Sequence, residues 1–133
     1  MPQMNFFNAR LVKEDGAYFV RFSEMKVRLP DEKQALLSAA NTPEQDITLG
    51  VRPNHIVLSE GENTIRAMVD VCEMMGSEVH LHINTGGKDI IIIVPIVDSN
   101  GNHIGSFTAG EPINFTFSGN VCHIFDQDGN NLA

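Results

Sequence analysis

The sequence predicts an all-β fold, a small barrel or sandwich with one short helix, built from two tandem strand modules at about residues 4–58 and 62–126. Three observations point there. Short runs alternate apolar and polar residues along most of the chain, the pattern of strands with one face on a core and one in water. One segment, about Glu32 to Ala40, has helical spacing. The second half also repeats the order of the first, strand, strand, then a strand closed by proline, at Pro30 and again at Pro95. Closing such short strands into a barrel removes exposed edges.

The elements follow in order. Phe7, Ala9 and Leu11 alternate with Asn8 and Arg10; Tyr18, Val20 and Phe22 alternate with Phe19 and Arg21; Val27 and Leu29 alternate with Lys26 and Arg28. Turns fall at Glu14-Asp15-Gly16 and Ser23-Glu24. Pro30 ends the third run, and Asp31 with Gln34 fits a capping box for the helix, with Leu36 and Leu37 expected inward. Asn41-Thr42-Pro43 breaks the helix before a strand through Ile47, Leu49 and Val51, stopped at Arg52-Pro53.

In the second module Ile65, Ala67, Val69 and Val71 form one alternating set, and Val79, Leu81 and Ile83 another. Ile90 to Val94 is apolar at every position, so it is expected to be covered on both faces and to lie at the centre of the fold. A loop over 98–103, a short strand over 104–107 and a turn at Gly110-Glu111-Pro112 follow. Ile113, Phe115 and Phe117 then alternate with polar residues, and Val121 to Phe125 returns the chain to a polar tail.

At 133 residues the chain is expected to be one domain, or two small subdomains sharing a core, since chains of this size bury roughly two thirds of their unfolded surface. A formal net charge of −8 repels nucleic-acid phosphates and anionic lipid surfaces. No apolar run approaches the ~20 residues of a membrane helix, and the first residues do not resemble a secretory signal. The chain is therefore expected inside the cell, or produced without its leader. Cys72 and Cys122 lie in apolar strand patterns and are read as buried, reduced thiols.

Candidate chemistry is sparse. His80 and His82 share a strand face with Glu78, but alternate polar positions are by default the solvated side, so no metal is assigned. His55, His103 and His123 are isolated. Asp98 to Asn102 superficially resembles a calcium loop, yet His103 stands where glycine is required and Ala109 where glutamate is. Gly86-Gly87-Lys88 lacks the remaining parts of a phosphate loop and reads as a hairpin turn. With no nucleophile elbow and no activated cysteine, no catalytic residue and no cofactor are assigned.

Four segments carry a resemblance. Met4-Asn5-Phe6-Phe7, Ile47-Thr48-Leu49-Gly50-Val51-Arg52-Pro53-Asn54-His55-Ile56, Met75-Gly76-Ser77-Glu78, and Val121 to Asp126 with Asp128-Gly129 stand in the right order over nearly the whole chain. They resemble the C-terminal regulatory region of the ATPase subunits of carbohydrate importers, the family of the maltose transporter ATPase. The usual carboxylate before the histidine is Asn54 here.

The resemblance implies an OB-fold, TOBE-type barrel that is regulatory and dimerising, not catalytic. It implies a preceding ATPase domain, absent from this chain, that alone would hold ATP and magnesium. The implied partners are a second copy, that ATPase domain in cis, a regulatory protein, and the transporter's membrane subunits through the parent, at the cytoplasmic face of the membrane. It singles out Arg52, Pro53, Asn54, His55, Gly76, Ser77, Glu78 and His123 as regulatory or interface residues. For the Arg52 to His55 segment, locking a turn to the barrel stands beside that reading.

Two other functions remain open from the residues. Related barrels bind oxyanions such as molybdate, for which Ser77, Thr85 and Lys88 offer donors. Single-stranded nucleic acid needs a basic groove with stacked aromatics, whereas the aromatics, Phe19 apart, fall mainly on inferred core faces.

Overall fold

A computed structural model describes residues 4–97, 100–102 and 107–133. Its strands and helix run β1 (Asn5–Glu14), β2 (Ala17–Phe22), β3 (Met25–Arg28), α1 (Asp31–Ala39), β4 (Gln45–Val51), β5 (Val57–Leu58), β6 (Ile65–Met75), β7 (Glu78–Thr85), β8 (Lys88–Pro95), β9 (Pro112–Thr116) and β10 (His123–Phe125). The fold is all-β with one short helix, as the alternation implies. The expected strand over 104–107 lies outside the described residues apart from Phe107, which is not in a strand.

The chain forms two compact units, Met4–Val51 with Phe117–Ala133, and Arg52–Thr116. This division differs from sequence modules at 4–58 and 62–126. Strand β10 pairs with β4, setting Ile124 opposite Leu49, so the end of the chain returns to the first unit.

The first unit is an antiparallel sheet in the order β10-β4-β1-β2-β3. Phe7, Leu11, Tyr18, Val20, Ile47, Leu49, Val51 and Ile124 face its core, and Phe7 packs against Phe22 and Phe117 at ring separations of 4.8 and 6.2 Å. Helix α1 departs from expectation in two ways. Leu37 is 1% exposed but Leu36 is 58% exposed, because adjacent helix positions lie about 100° apart and this nine-residue helix presents a narrow face.

The capping box does not form either. Pro30 occupies the cap position without a side-chain bond. The Gln34 amide instead accepts from Tyr18 N–H at 2.7 Å and donates to the Tyr18 and Leu29 carbonyls at 2.7 and 3.1 Å. A helix side chain thus supplies what a neighbouring strand would supply to Tyr18.

The second unit is an antiparallel sheet in the order β5-β9-β6-β7-β8. Ile65, Ala67, Val69, Val79, Leu81, Ile83, Ile90, Ile92, Val94, Ile113 and Phe115 form its core. Two expectations fail here. Strand β8 is an edge and not the centre: Ile90, Ile92 and Val94 are buried, while Ile91 and Ile93 are only half-buried on the other face. Val71 does not follow Val69 inward. The register steps from Val69↔Ile83 to Val71↔His82, leaving Asp70 as an extra residue in a β-bulge that turns Val71 outward.

Candidate functional site

Arg52 to His55 link the two units' stretches of chain. Arg52 is extended, as a residue before proline prefers, and Pro53 opens a 3-10 turn, Pro53–His55. The turn is closed by His55 N–H donating to the Arg52 carbonyl at 3.0 Å. Pro53 and the following Ile56 are buried, Arg52 is half-buried, and the side chains of Asn54 and His55 are exposed. The turn packs against β8. The backbone of this segment locks a turn, and Asn54 and His55 project free of the core.

Gly76, Ser77 and Glu78 form the exposed tip of the β6–β7 hairpin, where Gly76 adopts φ +65°, a conformation glycine takes without strain. The Ser77 carbonyl accepts from Ile96 N–H at 2.9 Å, and Glu78 stands opposite Pro95. Both groups therefore border the same edge strand. His123 belongs to the other unit, half-buried on β10 opposite Gly50.

The larger feature of the second unit is the outward face of β6, β7 and β8. Cross-strand rows set Val71 beside His82 and Ile91, Glu73 beside His80 and Ile93, and Met75 beside Glu78 and Pro95. Val71 and Met75 are each 51% exposed, Met68 on the same face is also exposed, and Ile91 and Ile93 are half-buried. His82 Nε2 bonds to Glu73 Oε1 within this face. Taking four rows across three strands, about 4.8 Å per strand and 6.7 Å per row give a face of roughly 400 Å² on which Met68, Val71, Met75, Ile91 and Ile93 are interleaved with Glu73, Glu78, His80 and His82. The unbroken run Ile90 to Val94 was its signal in the sequence.

Other candidates resolve as follows. Ser77 precedes β7 and Thr85 ends it, about 26 Å away along an extended strand, so of the three oxyanion donors Thr85 and Lys88 are brought opposite each other while Ser77 stands apart. Thr85 donates to the Arg66 carbonyl at 3.3 Å. Among the described residues no three His, Cys, Asp or Glu side chains cluster as metal ligands; Asp98, Ser99 and His103 lie outside them. Cys122 is buried, and that burial pushes its thiol up to about 12 against the opposing charge of Lys33. Cys72, beyond the bulge, is only half-buried, contrary to expectation.

Comparison with known families places the chain. A family model described as the MalK OB fold domain matches residues 1–56, and one described as the TOBE domain matches residues 49–125. The chain belongs to the TOBE domain family. It is 30% identical over 128 residues to a putative uncharacterized ABC transporter ATP-binding protein, YcjV, of Escherichia coli, covering 96% of this chain and 32% of that protein. Similarity to the trehalose/maltose import ATP-binding protein MalK of Thermococcus litoralis is also 30%, covering 95% of this chain and 33% of that one. The sn-glycerol-3-phosphate import ATP-binding protein UgpC of Burkholderia pseudomallei is 29% identical, with 94% and 32% covered. The chain spans about a third of the length of these relatives.

Proposed function

We propose that this chain is the non-catalytic regulatory and self-association module of the ATP-binding subunit of a sugar importer, acting at the cytoplasmic face of the membrane. The family and the names of the relatives support the parent; the outward face of β6–β8 supports self-association. An exposed face on which apolar side chains adjoin charged ones is suited to an interaction surface. The occupant that fits is a second copy, because a symmetric pairing lets the Val71, Ile91 and Ile93 surface bury itself, with the Glu73 carboxylate already held by His82 and Glu78 at the hairpin end of the face.

A patch of roughly 400 Å² is about half of what a standard interface buries per partner, so this module alone pairs weakly. Tethering to motor domains in cis raises the effective concentration and makes the contact useful: the motors separate after hydrolysis without being lost. A regulator that binds the module would shift that equilibrium, with exposed Asn54 and His55 and the hairpin tip Gly76 to Glu78 as its contacts.

Sedimentation equilibrium tests the central claim. The chain should show reversible dimerisation, and Val71→Glu should abolish it while leaving the far-ultraviolet circular dichroism unchanged. A strict monomer at millimolar concentration, or a Val71→Glu variant that dimerises as well as the parent, refutes the reading.

A further inference from the structure

The outward face of the first unit's sheet carries a different surface. Asp46, Arg10, Arg21 and Lys26 form one cross-strand row over β4, β1, β2 and β3, with Arg10 opposite both Asp46 and Arg21 and Lys26 opposite Arg21. Arg10 Nη1 bonds Asp46 Oδ1 at 3.0 Å, and Lys26 Nζ bonds Glu14 Oε2 at 2.5 Å while standing 5.0 Å over the Phe19 ring. Arg21, between two cations, has no ion pair among the described residues. Like charges directly opposed destabilise a sheet. A chain of net charge −8 with nine basic residues nonetheless puts three of them in this row.

Arg10 and Arg21 line a cleft of about 460 Å³ with Asn8 and Gln127. Gln127 also borders a second cleft of about 330 Å³, walled by Phe6 and Phe125 over Thr48. Asn8 and Thr48 are directly opposed, so the two clefts meet across that pair. Phe6 is 46% exposed and meets the Phe125 ring edge-on at 6.3 Å. On one strand, Phe6 and Arg10 are about 13 Å apart between α-carbons. Two guanidinium groups at one end, amides and a hydroxyl between, and two aromatic rings at the other make a single amphipathic trough.

We propose that this trough binds a phosphorylated sugar. Arg21 takes the phosphate together with the donors of Arg10 that Asp46 leaves free; a guanidinium has five N–H donors, and the bond to Asp46 uses one Nη1. Asn8, Gln127 and Thr48 offer donors and acceptors to ring hydroxyls. Phe6 and Phe125 cover the C–H face of the sugar ring. The site lies on the first unit's sheet and stands independently of the self-association face on the second.

Isothermal titration of the 133-residue chain with glucose 6-phosphate, adenosine 5′-monophosphate and inorganic phosphate tests the inference. Glucose 6-phosphate should bind saturably, about tenfold tighter than inorganic phosphate. Arg21→Gln should weaken it about tenfold. Phe6→Ala should weaken the sugar phosphate without changing inorganic phosphate, and Asp46→Asn, by freeing Arg10, should tighten both. All these side chains are surface ones, and circular dichroism checks that each variant is folded. No saturable binding of glucose 6-phosphate, equal binding of inorganic phosphate, preference for the adenosine nucleotide, or indifference to Arg21→Gln each overturns the proposal.

Discussion

Tyr18→Phe tests how the first unit holds its helix. The Tyr18 ring is 1% exposed, and its hydroxyl donates to the Thr42 carbonyl at 2.6 Å, with the Leu37 carbonyl at 3.4 Å. This bond ties β2 to the chain leaving α1, where Asn41 adopts a positive φ of 49°. Phenylalanine fills the same space, so no cavity contributes. The Leu37 carbonyl keeps the bond it accepts from Thr42 N–H at 3.0 Å, but the Thr42 carbonyl loses its hydroxyl donor in a residue only 9% exposed.

The cost is one net hydrogen bond plus part of the desolvation of a stranded acceptor, about 1–2 kcal/mol. At this chain length that corresponds to a fall in Tm of roughly 4–8 °C. Tyr18 is the only tyrosine and there is no tryptophan, so urea unfolding is followed by far-ultraviolet circular dichroism in parent and variant alike. An unchanged m-value with a loss below about 0.5 kcal/mol refutes the assignment of this bond as a stabilising anchor.

The thiols and the terminal turn give two further outcomes. In the native state an alkylating reagent should modify half-buried Cys72 and spare Cys122, with both reacting in denaturant; equal native reactivity contradicts the buried setting of Cys122. Because its folded pKa is raised to about 12, Cys122 contributes stability that is complete below the unfolded thiol value near about 8.5 and is withdrawn as pH climbs toward the folded one. Asp126 is the opposite case. The Asn130 backbone N–H, then the Asn130 amide, hold its carboxylate below the ordinary range. The turn stabilisation is therefore present above the unfolded carboxylate value near about 3.9 and lost as pH falls through the lower folded one. The protection factor of the Asn130 amide, its exchange rate corrected for the intrinsic pH dependence, should fall on acidification below that point, and constant protection down to unfolding would sink the idea.

Much of the fold was legible because one-sided burial writes itself as alternation. Strands β1, β2, β4, β7 and β9 lie where apolar residues recur every second position, and their inward sets are the expected ones except that Ala9 and Phe22 are only half-buried and Val12 is also buried. Position within a sheet leaves no comparable mark. Ile90 to Val94 reads as a fully covered strand, yet β8 is an edge whose outward isoleucines are half-buried. A helix of nine residues likewise gives too few turns to tell Leu36 from Leu37. Gln34 was assigned to a cap because the capping pattern is local, while its actual partners, Tyr18 and Leu29, are set by how the helix lies against β2. At the candidate site, the Arg52-Pro53 turn was readable from turn chemistry, and the Gly76 segment only through the resemblance. Phe6 and Phe125 were not, since membership of an outward face depends on the pairing of β1, β4 and β10.

One residue accounts for the surface proposed for self-association. Through Val69 the odd-numbered residues of β6 face the core. Had the ladder continued regularly, Val71, Glu73 and Met75 would have pointed inward and Asp70, Cys72 and Met74 outward, because a strand's side-chain period is two. The bulge at Asp70 exchanges the two sets, bringing Val71 beside His82 and Ile91 in the exposed row. The alternation Ile65, Ala67, Val69, Val71 is unbroken in the sequence, so nothing in the periodicity betrays the change. An acidic residue is well suited to the extra position, since it remains solvated on an exposed strand. The outward placement of Val71 on the β6–β8 face thus follows from a local backbone irregularity and not from a failure to bury hydrophobic residues, since a bulge re-aims the side chains that follow it.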